Sequence, residues 1–131
     1  MSLVEVIGVE HFGMIVKDSE LLAGWYGEVF GAKVVSRSLD ERPILFIQLG
    51  GGSLMELIPG DGEPAHPSDH VHVSFSVDSL QGAVNRLKEA EIVLNRPVFE
   101  AYEGSPVAFL RDPEGHLVQL VERVSSLPQP R

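Results

Sequence analysis

The sequence predicts an α+β fold built from two tandem βαβββ units. Three observations favour this fold class. A strand-like alternation followed by a capped amphipathic helix occurs twice, three short strand-like segments follow each helix, and residues of matching type recur at a nearly constant spacing. His72 follows His11 by 61 residues and Gln119 follows Glu56 by 63 residues, so a small difference in loop length relates the two copies.

The first unit begins with a half-buried strand predicted over residues 6–17, where one of the two alternating rows is apolar. An N-cap at Asp18 or Ser19 and apolar residues at helical spacing predict a helix over residues 19–30, ended by Gly31. Three strands complete the unit, at residues 32–38, 43–49 and 53–58, and three glycines form the turn between the last two.

The second unit repeats this order. Apolar residues alternate with polar ones from Val71 to Asp78, and Asp78 or Ser79 caps a helix whose apolar positions extend to Ala90. Three strands are predicted at residues 96–101, 107–111 and 116–122, and the segment Asp-Pro-Glu-Gly before the last of them is typical of a type I turn.

The chain is predicted to be a single domain over residues 1–131, with a first unit at about 5–58, a linker at 59–69, a second unit at about 70–123 and a flexible tail at 124–131. Ten basic and 19 acidic residues give a net charge of −9, which disfavours nucleic acid and anionic membranes as partners. No apolar run is long enough to span a membrane, and residues 1–10 lack the basic region of a secretory signal. A cytoplasmic protein is therefore expected.

The chain contains no cysteine, which excludes disulfides, thiolate ligands and a cysteine nucleophile. Any metal ion must therefore be bound by nitrogen and oxygen ligands. In each alternating strand the row opposite the apolar one carries a histidine, and the row of His72 also contains Ser74 and Ser76, which is too polar for a core. If the two sheets curve toward a shared face, His11, Glu56, His72 and Gln119 converge, and this donor set suits one divalent Zn, Ni, Mn, Co or Fe ion.

Four segments in the same order resemble the vicinal oxygen chelate superfamily: VEHFGMIVKDSELLAGWYGEVFGAKVV, LMELIPG, HVHVSFSVDSL and FLRDPEGHLVQLVE. That superfamily includes glyoxalase I, methylmalonyl-CoA epimerase, extradiol dioxygenases, fosfomycin resistance enzymes and bleomycin-binding proteins. The resemblance covers residues 6–122. It implies a curved, half-barrel mixed sheet with the helices outside, a homodimer, and a metal bound by His11, Glu56, His72 and Gln119.

The activity that the resemblance implies is a glyoxalase-like lyase or an epimerase-like isomerase acting through a metal-stabilised enediolate or enolate of a small carbonyl substrate. Gln119 departs from the pattern, because the fourth ligand is usually a glutamate that also moves the substrate proton. Glutamine cannot accept that proton, so Glu56 is the expected catalytic base. The same departure counts against a dioxygenase or a fosfomycin enzyme.

Several alternatives stay open at the level of sequence. The chain is either such an enzyme or a metal-free, bleomycin-resistance-like protein that binds a small molecule in an aromatic groove. A plain polar role explains Gln119 about as well as a role as a metal ligand. His70 competes with His72 as a ligand. The four residues meet either within one chain or across two chains. His66, His70 and His116 are expected at the surface, and Glu122 on the opposite face from Gln119. The aromatic residues expected to line a substrate pocket are Phe46, Phe99, Tyr102 and Phe109.

Overall fold

The computed structural model describes residues 2–60, 70–101 and 104–124. The chain divides into two units, residues 1–65 and 66–131. Within the described residues each unit contains one α-helix and one four-stranded mixed sheet, in the order strand, helix, strand, strand, strand. The predicted α+β fold of two tandem βαβββ units is therefore confirmed.

The first unit has four strands and one helix, and the helix has the bounds that the sequence predicts. Asp18 caps it by accepting a hydrogen bond from the Leu21 amide, and Gly31 ends it in the left-handed conformation with φ 74°. The elements are β1 (Phe12–Val16), α1 (Ser19–Phe30), β2 (Lys33–Arg37), β3 (Leu45–Gln48) and β4 (Leu54–Pro59). In the sheet order β1-β4-β3-β2, only β1 and β4 are parallel.

The first strand is shorter than predicted. It begins at Phe12 and not at Val6, because its only neighbour in the described sheet, β4, starts pairing with it at Phe12 and Met55. The alternation in residues 6–11 therefore has no ladder to join, and apolar residues such as Ile7 and Val9 are exposed. As a result, His11 lies immediately before β1 and not inside it.

The core of the first unit lies between α1 and one face of its sheet. Tyr26 and Leu22 of the helix are fully buried, as are Leu45 of β3 and Leu57 of β4. Burial of each such aliphatic side chain contributes about 1.5–3 kcal/mol to folding. Along β1, Met14 and Val16 are buried while Gly13 and Ile15 are exposed. The row that contains Gly13 and Glu56 therefore faces away from the helix.

The second unit repeats the order of the first. Its elements are β5 (His72–Ser76), α2 (Leu80–Glu89), β6 (Phe99–Ala101), β7 (Ser105–Arg111) and β8 (Leu117–Val121). The sheet order is β5-β8-β7-β6, with β5 parallel to β8. Ser79, one of the two predicted caps, accepts a hydrogen bond from the Gly82 amide at the start of the helix. The Leu80 amide donates to the Glu122 carboxylate at 2.8 Å, which places Glu122 on the helix side of the sheet.

The turn between β7 and β8 corrects one expectation. His116 was expected at the surface, but its side chain is only 14% exposed and its Nδ1 lies 2.8 Å from the buried carboxylate of Asp112. The same carboxylate accepts hydrogen bonds from the Glu114 and His116 amides. A buried carboxylate needs such hydrogen-bond donors, so His116 stabilises the turn between β7 and β8. His70 is exposed as expected, and His66 lies outside the described residues.

No helix in the described segments is both long and apolar enough to cross a membrane.

Candidate metal centre

In the first unit His11 lies between two carboxylates. Its Nδ1 contacts the carboxylate of Glu10, and its Nε2 lies 3.1 Å from Oε1 of Glu56 on β4. Glu56 is paired in register with Gly13, and a Cβ at Gly13 would lie 3.5 Å from its Oε1, at ordinary van der Waals contact. The neighbouring strand therefore carries no side chain at the position in register with the carboxylate.

The two carboxylates raise the pKa of His11 above its ordinary value of 6.5. The hydrogen bond that the His11 ring donates to the Glu10 carboxylate is the largest cause of this raised pKa. Desolvation opposes it, and the charges of Glu10 and Glu56 add to it. Protonated His11 therefore stabilises the folded chain below pH 6.5, and this contribution is lost as the pH rises through the raised pKa.

We expect the substitution Glu10→Gln to lower the pKa of His11 in the metal-free protein, because it removes one neighbouring charge and leaves only a weaker, uncharged acceptor for the ring. An NMR titration of the His11 ring measures this shift. Glu5→Gln is the matched control, since Glu5 is an exposed carboxylate in the same segment, and it should leave the titration unchanged. An unaltered pKa in Glu10→Gln would contradict the arrangement.

In the second unit, His72 begins β5 and Gln119 lies on the neighbouring strand β8. The Nδ1 of His72 lies 2.8 Å from the backbone carbonyl oxygen of His70, so this nitrogen carries the proton and donates it. Ser74 is paired in register with Gln119, and its hydroxyl donates to Oε1 of Gln119 at 2.7 Å. That hydrogen bond fixes the amide orientation, and the second lone pair of Oε1 stays available.

The two units build these pairs in the same way. The ring of His11 meets Phe46 edge-on at 5.3 Å and 81°, and the ring of His72 meets Phe109 edge-on at 5.4 Å and 83°. Phe46 is paired in register with Glu56, and Phe109 with Gln119. The four predicted ligands therefore occupy corresponding positions, two in each unit.

The donor chemistry of each pair fits a divalent cation. Both histidines hold Nδ1 against an oxygen acceptor, which is the arrangement that leaves Nε2 as the ligand atom and fixes the ring. Each unit also carries one oxygen donor among the predicted ligands, Glu56 or Gln119. Among residues 2–60, 70–101 and 104–124, no three His, Cys, Asp or Glu side chains form a metal-binding group. The four-ligand set thus remains a prediction.

Two site residues were not predicted. Glu10 precedes a histidine that was expected to lie within a strand, where neighbouring side chains point to opposite faces. Because His11 lies before β1, Glu10 reaches its ring. The tether from Ser74 depends on the parallel register of β5 and β8, which the sequence does not specify.

Three of the four aromatic residues predicted to line a pocket lie in the described part of the chain. Phe46, Phe99 and Phe109 are half-buried, and Phe99 stacks on Phe109 with centroids 6.1 Å apart. Tyr102 lies outside the described residues. A separate cleft of about 230 Å³ opens at the start of α1 and contains none of the predicted site residues.

Comparisons with known proteins agree with this architecture. The sequence profile of the Glyoxalase/Bleomycin resistance protein/Dioxygenase superfamily matches residues 8–120. No curated protein matches the chain by sequence.

Among solved structures, the fosfomycin resistance protein FosX from Listeria monocytogenes has a TM-score of 0.74 at 20% identity, over 92% of this chain and 96% of that one. Another structure of FosX contains Mn(II) and sulfate, with a TM-score of 0.71 at 20% identity, over 90% of this chain and 91% of that one. Lactoylglutathione lyase from Agrobacterium tumefaciens has a TM-score of 0.72 at 18% identity, over 89% of this chain and 94% of that one. At these identities the similarity shows the fold.

Proposed function

The chain belongs to the Glyoxalase/Bleomycin resistance protein/Dioxygenase superfamily, and on this premise we propose that it is a metal-dependent lyase or isomerase. It would move a proton at a carbon next to a carbonyl group of a small substrate. The proposed ligands of one divalent Zn, Ni, Mn, Co or Fe ion are His11, Glu56, His72 and Gln119. When bound, the cation supplies positive charge that stabilises negative charge developing on adjacent substrate oxygens.

The observation that carries the proposal is the repeated geometry of the two pairs. Each unit sets an imidazole edge-on to a phenylalanine and pairs that phenylalanine in register with Glu56 or Gln119. Each imidazole also has Nδ1 against an oxygen acceptor. The two units differ in sequence but place these polar side chains in the same arrangement. This favours one shared function, such as cation binding, over two unrelated surface roles.

The chemistry of each of the four side chains suggests its role in metal binding or proton transfer. His11 and His72 bind through Nε2, and Gln119 binds through an amide oxygen that Ser74 orients. Gln119 has no site that accepts a proton from carbon, so proton transfer falls to Glu56. Its Oε1 lies 3.1 Å from Nε2 of His11, so the carboxylate is next to the atom through which His11 would bind the cation.

The structural relatives support a metal-dependent reaction. A structure of FosX contains Mn(II), and another relative is named a lyase, lactoylglutathione lyase. The superfamily resemblance also implies a homodimer, and light scattering at assay concentration measures that oligomeric state. A cytoplasmic location stays a prediction from the sequence.

Metal uptake and proton exchange together test the proposal. Protein purified without chelator is dialysed against each of the five metals, and elemental analysis should give one tightly bound divalent ion per site. In D₂O, the loaded protein should exchange the proton next to the carbonyl group of an α-keto thiohemiacetal or an acyl thioester, and chelator should stop the exchange. Absence of both bound metal and uptake on titration would remove the proposal.

One observation favours a second function, a metal-free protein that binds a small molecule. The contacts of Glu56 with His11 and of Gln119 with Ser74 satisfy these polar groups without a cation. In that case the chain would bind ligands without metal, and an acidic protein of net charge −9 would favour cationic ones. Metal-dependent proton exchange on either substrate type excludes this alternative.

A further inference from the structure

The face of the second sheet that carries Gln119 continues into an aromatic row that ends at an arginine. Phe109 on β7 is paired in register with Gln119, and Phe99 on β6 stacks on Phe109 with ring planes 15° apart. The guanidinium of Arg96 lies over the Phe99 ring, with its central carbon 4.1 Å from the ring centroid. The row therefore passes from a polar amide through apolar rings to a positive charge.

Arg96 is held in a way that suits anion binding. A guanidinium stacked on an aromatic ring keeps its N–H donors in its own plane, where they remain able to bind a carboxylate through two parallel hydrogen bonds. Arg96 is exposed, and within the described residues it has the Phe99 contact and no carboxylate partner. The side chain is thus positioned by the ring and available to a ligand.

The first unit does not repeat this feature. The residue of β2 paired with Phe46 is Ser36, so the aromatic row there stops at Phe46. The adjacent Arg37 forms an ion pair with Glu20 of α1. The two units match at the predicted metal ligands and differ beyond them, which is expected if the second unit alone recognises the distal part of a substrate.

We propose that the substrate is a small organic acid whose anionic group binds Arg96. Its apolar or planar portion lies on Phe99 and Phe109, and its carbonyl end lies near Gln119 and His72. This rests on the proposed function only for the carbonyl end, because the anion subsite consists of residues that bind no metal. The subsite gives local positive charge to a chain of net charge −9, and salt screens the repulsion from more distant carboxylates.

Two matched pairs of probes test the subsite. With Zn²⁺-loaded protein, para-carboxybenzohydroxamic acid is compared with para-carbamoylbenzohydroxamic acid; both chelate metal through two oxygens and they differ in charge. With metal-free protein, phenylpropionate is compared with phenylpropionamide, and NMR follows the ring signals of Phe99 and Phe109. We expect the acid to bind better in both pairs.

The substitution Arg96→Gln should lower the affinity of each acid roughly tenfold, the effect of losing a charge-assisted hydrogen bond, and leave each amide unaffected. Arg86→Gln is the matched control, because Arg86 is an exposed arginine on α2, on the helix side of the same sheet, and it should preserve the preference. The anion subsite would be refuted if Arg96→Gln still preferred the acid over the amide, or if Arg86→Gln lost as much affinity for the acid.

The metal-free pair separates this inference from the proposed function. If neither hydroxamate binds but phenylpropionate still depends on Arg96, the metal-dependent function fails and the anion subsite stands. If both hydroxamates bind equally through the metal and phenylpropionate shows no preference over its amide, the function stands and the subsite is refuted.

Discussion

The substitution Glu56→Gln is expected to lower metal-dependent proton exchange by about 10²–10⁴-fold, which is the usual contribution of a general acid or base. The amide is nearly the same size as the carboxylate and its oxygen still binds a cation, but it accepts no proton from carbon. Exchange kinetics in D₂O with saturating metal measure the loss, and elemental analysis in parallel checks that the metal is retained.

Gln119→Glu is the matched control for this experiment. It introduces a carboxylate at the corresponding position of the second unit, where the Ser74 hydroxyl can still donate to it, and it should retain both metal and exchange. The double variant Glu56→Gln, Gln119→Glu then shows whether a carboxylate on the second sheet replaces the first. Full exchange in Glu56→Gln alone would exclude Glu56 as the base.

The second large effect is expected on metal affinity. His72→Ala should weaken binding by about 100-fold or more, since removal of a mere hydrogen-bonding partner of a ligand already costs 10–100-fold. Isothermal titration with Zn²⁺ or Ni²⁺ measures the change. His11→Ala should have a similar effect, because both histidines are proposed to bind the same cation.

His70→Ala decides between the two neighbouring histidines. The contact of His70 with His72 runs through its backbone carbonyl, which alanine keeps, so this variant should bind metal with nearly unchanged affinity. If His70→Ala loses the metal and His72→Ala retains it, the assignment of the ligand is wrong and His70 replaces His72. Loss of only part of the bound metal in each of His11→Ala and His72→Ala would indicate two separate sites.

Local signals in the sequence predicted the elements well where the chain itself determines them. The bounds of α1 depend on Asp18 and Gly31, two residues whose side-chain and backbone preferences act within one turn. The start of β1 depends instead on the residue at which β4 begins to pair with it, and that partner lies more than 40 residues away in sequence. Periodicity therefore placed the strand too early.

The same distinction applies to the candidate site. Strand parity correctly placed Glu56 and Gln119 on the face away from the helices, because alternation is a local property. The contacts of Glu10 with His11 and of Ser74 with Gln119 depend on where β1 begins and on how β5 pairs with β8. No pattern in the sequence distinguishes Arg96 from the other arginines, and the path of the chain before β6 brings it over Phe99.

Gly13 and Ser74 occupy matching places beside Glu56 and Gln119, yet one has no side chain and the other a hydroxyl that tethers its neighbour. The Ser74 hydroxyl orients Gln119, whereas the described partner of Glu56 is the imidazole of His11. The orientation of Glu56 is thereby coupled to a titratable ring, while that of Gln119 is set by a neutral hydroxyl.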